Sequence, residues 1–240
     1  KEILLPRGIK EYSIRIDSGD LTYLSKEARK MLDQADLKDC TITVSNSLDE
    51  RIIKDLLIQG AQIDVFGVGE RLITAKSEPV FGSVYKLAAI EENNKIIPKI
   101  KISDNIEKIT TPHFKTIYRI VDKDGHFEAD LITVFDETID ETRPLTIFDP
   151  VSTWKEKTFE DYTLIKMHQL IYKGGKRVYD KPSIQAVRVY AQKQLKSLWP
   201  ELRRFDFPHR YYVDLSKKLW MTKDQLINHY KQGGNYQCVT

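Results

Sequence analysis

The chain has little sulfur, no long apolar run and almost no surplus of either charge. Its two cysteines, Cys40 and Cys238, lie far apart and outside any metal-type spacing. That favours reduced thiols over a disulfide, excludes a thiolate metal centre and leaves neither cysteine with chemistry to carry. No apolar segment approaches the roughly 20 residues that span a bilayer. The opening Lys1-Glu2-Ile3-Leu4-Leu5-Pro6-Arg7 lacks the apolar core of a signal peptide. The cytoplasm is therefore the default location, with no membrane partner. Thirty-eight Lys and Arg stand against 35 Asp and Glu, a net charge of +3. That charge is spread through both halves, with only a basic drift toward the end. A nucleic-acid surface needs a clustered basic stripe, so no nucleic-acid partner is expected. Internal repeats and low-complexity tracts are also missing.

What is present is an ordinary globular composition, 41% hydrophobic and 30% charged over 240 residues. This length accommodates one large α/β domain, or a medium domain with a smaller one. The chain opens at Lys1 without an initiator methionine and reaches a strand almost at once, so it reads as a piece of something longer.

The first organising stretch is Ser13-Ile14-Arg15-Ile16-Asp17-Ser18-Gly19-Asp20-Leu21. An apolar-bearing strand runs into a polar turn and a helix opens directly after it. Such βα corners are where α/β proteins keep their ligands. Arg15 offers a planar fork of donors suited to a carboxylate or phosphate. Asp17 only accepts, which suits sugar hydroxyls or a metal, and Gly19 permits a tight turn. Taken alone, the corner serves equally well as a surface turn capped by Ser18 or Asp20.

The next segments repeat the arrangement. Leu21, Leu24, Ala28, Met31, Leu32 and Ala35 recur at helical spacing, Cys40-Thr41-Ile42-Thr43-Val44 reads as a strand, and Ser45-Asn46-Ser47-Leu48-Asp49-Glu50 carries helix-start chemistry. Ile52, Ile53, Leu56 and Leu57 mark the buried face of a second helix, stopped at Gly60. A third strand, Ile63-Asp64-Val65-Phe66, enters Gly67-Val68-Gly69-Glu70. The order β-α-β-α-β with right-handed crossovers makes the strands parallel, so their carboxyl ends share one rim. Arg15 and Asp17, Ser45 and Asn46, and the residues from Gly67 to Glu70 then meet there. A Gly-x-Gly turn before a helix can converge backbone N–H groups on an anion. Two glycines in a βα turn also arise from packing alone. Arg71, just inside that helix, can add a charge-assisted contact to such an anion, and reads equally well as a surface residue.

Beyond residue 78 the pattern becomes β-rich, with strand-like runs at 84–90, 96–102, 116–121 and 129–134. A hairpin turn is expected at Asp122-Lys123-Asp124-Gly125. These read as an antiparallel layer distinct from the βαβ part, giving expected divisions at 1–90 and 91–240. An amphipathic helix is expected over 184–199, between Pro182 and Pro200, and a last helix capped by Thr222 runs through Tyr230. From Gly233 onward the end reads as frayed.

In order, content and spacing, the run from Arg15 to Leu21, the run from Ser45 to Glu50, and Phe66-Gly67-Val68-Gly69 followed by Gly82-Ser83-Val84-Tyr85-Lys86-Leu87 resemble nicotinate phosphoribosyltransferase. The specific motifs lie within residues 12–90, and a looser likeness runs to the end. The resemblance implies the carboxyl-terminal half of a type II phosphoribosyltransferase: part of an irregular α/β barrel, then a β-rich segment and carboxyl-terminal helices. It implies joining of nicotinate to 5-phosphoribosyl 1-diphosphate, with ATP as co-substrate, Mg²⁺ and a homodimer. By motif, Arg15 would bind the nicotinate carboxylate, Asp17 the ribose, and Asn46 the sugar or its diphosphate. Gly67, Gly69 and the backbone of Glu70 would bind the phosphate. Glu70 departs from the family, which often has Thr there. The family's phosphorylated histidine and its pyridine-stacking aromatic belong to the amino-terminal half. None of His113, His126, His168, His209 and His229 stands in a matching context, so each reads as structural or surface. The chain is accordingly expected to be inactive alone. The rim also suits a related phosphoribosyltransferase acting on quinolinate or nicotinamide, or a non-catalytic sugar-phosphate-binding domain.

Overall fold

A computed structural model describes residues 2–80 and 82–231. The chain divides into two compact units, 1–83 and 84–240.

In the first unit, β1 (Ser13–Ile16), β2 (Thr41–Val44) and β3 (Val65–Phe66) form a sheet in that order. Ile16 stands opposite Val44 and Val44 opposite Phe66, and both pairings are parallel. Helices α1 (Leu21–Gln34) and α2 (Glu50–Ile58) make the crossovers. Ile42, Val44, Leu48 and Leu56 are buried, with Leu21, Ala28, Leu32 and Ile52 packed against them. Met31, placed on the apolar stripe by its spacing, is instead 68% exposed; the helix turns it away from the sheet. Asp20 caps α1 by accepting from the Tyr23 N–H at 3.0 Å, which decides between the two expected caps. Gly60 closes α2 at φ +74, a left-handed conformation that costs glycine least. The three strands form a short open sheet.

The second unit is built on β6 (Lys115–Asp122) and β7 (Phe127–Val134), joined by the expected hairpin turn at 122–125. In β7, Phe127, Ala129, Leu131 and Thr133 are buried, the period-2 pattern of a strand with one face inward. The full sheet runs β10 (Tyr162–Lys166), β6, β7, β13 (Tyr212–Leu215). The last pairing is parallel, so the layer is mixed where an antiparallel one was expected. Ile120, Ala129, Leu131, Ile147, Phe159 and Tyr162 form its main cluster, reached from β8 (Leu145–Phe148) and β9 (Glu156–Phe159).

Two further expectations shift. The run at 84–90 is strand only from Ala89, in the hairpin of β4 (Ala89–Glu92) with β5 (Lys95–Pro98). Val84 and Tyr85 are 80% and 96% exposed, so their β-propensity finds no partner strand. The last helix, α5 (Lys217–Lys231), starts a turn and more before Thr222. Ser216 is its cap, its Oγ accepting from the Leu219 N–H at 3.2 Å, while Thr222 donates back to the Lys218 carbonyl from inside the helix. The expected helix after Pro182 is α4 (Ile184–Lys196), capped by Ser183. Cys40 is a free, buried thiol. Cys238 and the stretch from Gly233 lie outside the described residues.

Candidate functional site at the strand ends of the first unit

With β1, β2 and β3 parallel and in register, Asp17, Ser45 and Gly67 each follow the last strand residue on the same edge. At about 4.8 Å per strand, the outer two corners stand roughly 10 Å apart. The structure therefore brings the three predicted corners to one rim.

Arg15 and Asp17 face each other there. The Arg15 Nη2 lies 3.2 Å from an Asp17 carboxylate oxygen, with side chains 64% and 58% exposed. An ion pair so open to water contributes little to stability, so both groups keep their capacity for a ligand. The Arg15 Nε donates to Ser45 Oγ at 2.9 Å. That bond fixes the plane of the guanidinium, and sequence reasoning assigned Ser45 no such role. The only signal for it was its place at the end of the adjacent strand.

The second corner is positioned from beneath. Leu48 is buried in the core and anchors a turn in which Asn46 and Ser47 take φ of +94 and +51. Consecutive left-handed residues are costly outside glycine, and Asn tolerates them best. Asn46 is exposed on this strained turn. The turn ends at Asp49, which caps α2 by accepting from the Ile52 N–H at 2.9 Å. Asp49 also ion-pairs with Arg71, both side chains being mostly buried, which ties the second corner to the third. Chiefly through the Ile52 N–H, and further through Arg71, its carboxyl is held below the ordinary range. Arg71 is therefore a structural tie, and neither of its two sequence-level readings foresaw this partner.

At the third corner, the Gly67 N–H is taken by the Val44 carbonyl at 2.7 Å. Among the described residues, the N–H groups of Val68, Gly69 and Glu70 have no protein acceptor. They lead into the one-turn helix α3 (Glu70–Ile73). Gly67 matters by what it leaves out: a Cβ there would lie 3.3 Å from Ser45 Cβ and 3.4 Å from the Val44 carbonyl oxygen. Glu70 is exposed, so its carboxylate has room to turn from an anion held on the backbone. Gly67→Val is expected to force β3 away from β2 and to destabilise the first unit by about 1–3 kcal/mol, read by chemical denaturation. Gly69→Ala, with open space around its Cβ position, is expected to be mild by comparison.

His126 and His209 stand in ordinary packing surroundings. His126 stacks on Trp199 at 4.3 Å between ring centroids, and its Nδ1 lies 3.4 Å from Asp122. That is an ion-pair distance without hydrogen-bond geometry, for the same nitrogen is otherwise unsatisfied. His209 meets Tyr212 edge-on. Among the described residues no group of three or more His, Cys, Asp or Glu could hold a metal ion. No described helix is long and apolar enough to cross a membrane.

The fold, a parallel βαβαβ sheet followed by a mixed-sheet unit, is similar to that of a solved phosphoribosyltransferase. Residues 114–223 match the family described as nicotinate phosphoribosyltransferase C-terminal domain, and the chain resembles enzymes named nicotinate phosphoribosyltransferase along nine tenths of its length. It is 46% identical over 219 residues to nicotinate phosphoribosyltransferase of Bacillus subtilis (strain 168), covering 91% of this chain and 45% of the relative. It is 31% identical to the enzyme of that name from Dictyostelium discoideum, covering 91% and 39%. The crystal structure of human nicotinic acid phosphoribosyltransferase superposes with a TM-score of 0.69 at 25% identity, covering 92% of this chain and 41% of that one. The chain thus spans less than half the length of these relatives.

Proposed function

We propose that this chain is the part of a nicotinate phosphoribosyltransferase that holds the pyridine carboxylate, ribose and phosphate, in an enzyme of NAD biosynthesis. The observation that carries the reading is the single rim: an exposed Arg–Asp pair, a strained Asn46 turn and free backbone N–H groups at the ends of three adjacent parallel strands. On this reading the Arg15 guanidinium, oriented by Ser45, takes the nicotinate carboxylate. Asp17 takes the ribose hydroxyls, Asn46 orders the sugar or its diphosphate, and the N–H groups of Val68, Gly69 and Glu70, beyond the one Gly67 gives to the Val44 carbonyl, receive the phosphate. Roughly 10 Å between outer corners suits one mononucleotide laid across the rim.

The reaction would join the pyridine nitrogen of nicotinate to C1 of 5-phosphoribosyl 1-diphosphate, releasing diphosphate, with ATP as co-substrate. Mg²⁺ is commonly held by one or two carboxylates together with substrate phosphates, and Asp17, an exposed carboxylate of this rim, fits that part. Bound there, the ion would neutralise charge on the departing diphosphate. The histidine that couples ATP to the reaction, the closure of the barrel and a homodimeric assembly belong to the whole protein, placed in the cytoplasm. This chain by itself is expected to show no steady turnover of nicotinate, and turnover by a pure sample of its mass would overturn that expectation.

Arg15→Ala tests the assignment. Loss of a charge-assisted contact is expected to weaken nicotinate mononucleotide by about 1.5–3 kcal/mol in calorimetry. The loss for nicotinamide mononucleotide, which lacks the carboxylate, should be much smaller. Equal losses would point to a general sugar-phosphate-binding domain, and stronger binding of quinolinate ligands would move the enzyme to a neighbouring substrate. Unchanged affinity for nicotinate mononucleotide would remove Arg15 from the site.

A further inference from the structure

The second unit holds a cavity of about 630 Å³ where β8, β9 and β13 converge, lined by Asp149 and Trp154 on one side and by Arg210, Tyr212 and Asp214 on the other. It shares no residue with the rim of the first unit. The two carboxylates in it are treated very differently by the fold. Asp149 accepts from the backbone N–H groups of Val151 and Ser152 at 2.8 and 2.7 Å, which satisfies its charge and keeps its carboxyl below the usual range. Asp214 is only 5% exposed, and among the described residues its carboxylate has no side-chain hydrogen bond and no ion pair.

A buried, unpartnered carboxylate on a cavity wall is a large cost unless something completes it. The three cations that line the cavity do not. Lys157 is paired with Glu128 and lies over the Phe159 ring, Lys155 stands beside Asp149, and Arg210 acts on Asp149 and Asp214 only through space. The lining holds three cations and three carboxylates, Asp149, Glu156 and Asp214, and among the described residues none of those cations stands at ion-pair distance from Asp214. At the mouth, the indole of Trp154 is 77% exposed, a flat apolar face open to a ligand. Burial, together with the neighbouring charge of Asp149, raises the Asp214 carboxyl to about 6, against a smaller opposing effect of Arg210.

We propose that this cavity binds a small organic cation with a flat aromatic body, its charge on Asp214 and its ring against Trp154. An amidinium or protonated amine would supply the donors that Asp214 lacks, and an aromatic ring facing a cationic or flat group adds attraction beyond buried area. The volume of the cavity lies within the range of small-molecule sites and leaves room for one ring and its cationic group.

The test uses benzamidine and its neutral isostere benzamide, followed by ligand-observed NMR and calorimetry on the chain as it stands. Benzamidine is expected to bind at pH 7.5 and benzamide to bind at least about tenfold more weakly. Lowering the pH from 7.5 to 5 should weaken benzamidine, because Asp214 is then protonated while Asp149 stays charged. Asp214→Asn should lose about tenfold or more at pH 7.5 and should lose the pH dependence too. Trp154→Ala should weaken the cation without altering that dependence. Benzamide binding as well as benzamidine, no binding of benzamidine, or unchanged affinity in Asp214→Asn would each overturn the proposal. The comparison of the two ligands on the unaltered chain decides the matter even if a variant misfolds.

Discussion

Asp130→Ala is expected to destabilise the second unit by about 3–5 kcal/mol, because it leaves a buried guanidinium without its counter-charge. Arg119 and Asp130 stand opposite each other in the β6–β7 ladder. The Arg119 Nε and Nη2 donate to the two carboxylate oxygens at 2.8 and 2.9 Å. The two side chains are 19% and 15% exposed. The Tyr211 hydroxyl donates to the same carboxylate at 2.9 Å, and the guanidinium lies over the Phe127 ring at 4.5 Å. Burial, reinforced by the Asp130 charge, pushes the Tyr211 hydroxyl far above its ordinary range, so it stays a donor at any working pH. With Asp130 gone, Arg119 keeps Gln194 at 3.3 Å and the Phe127 ring but no counter-charge, and Tyr211 loses its acceptor. Chemical denaturation followed by tryptophan fluorescence measures the effect. A loss below about 1 kcal/mol would mean that this pair behaves like one on an open surface.

Asp214→Asn should do the opposite and stabilise the second unit at neutral pH. The sign follows from linkage. A carboxyl whose folded pKa is raised, here from 3.8 to about 6, makes the folded state bind its proton more tightly than the unfolded chain does. That contribution is fully present below the unfolded value and is lost as pH rises through about 6. At pH 7.5 the ionised, desolvated carboxylate therefore costs about 2–3 kcal/mol. Asn keeps the shape without the charge and should recover most of it. The gain should shrink to nothing by pH 4, where the native residue is already protonated when folded. Melting of the native and variant chains across pH 4–8 measures this as a difference, which cancels the opposite titrations of Asp122, Asp140 and Asp149. A gain that stays the same from pH 4 to 8 would assign it to packing.

The parts legible in the sequence were those set by local rules. The narrowing of the α1 cap to Ser18 or Asp20, the stop of α2 at Gly60 and the turn at 122–125 each follow from residue chemistry within a few positions. The parallel order of the first three strands, and with it the shared rim, followed from crossover handedness. What escaped depended on partners distant in the chain. Asp130 meets Tyr211 across 81 positions, and neither neighbourhood announces the other. β13 is four residues long, and it joins the sheet in parallel because β7 offers a free edge beside it, which no periodicity encodes. The misplaced start of α5 has a simpler origin. Ser216 and Thr222 both carry capping chemistry, and only the Leu219 N–H shows which one performs it. At the rim, residue types were readable, but the ties of Arg15 to Ser45 and of Asp49 to Arg71 were not.

The three-stranded sheet of the first unit has β1 on one flank and β3 on the other. Among the described residues neither has a neighbour on its outer side, so β1 presents an unmatched ladder of peptide donors and acceptors. Such a flank is a template for another extended segment. Chains held at high concentration would be drawn to zip together there, ribbon against ribbon. Ser13→Lys, at the exposed β1 position away from the rim, would discourage that association while leaving Arg15 and the ligand corners intact, which makes it a practical first change for handling this unit in solution.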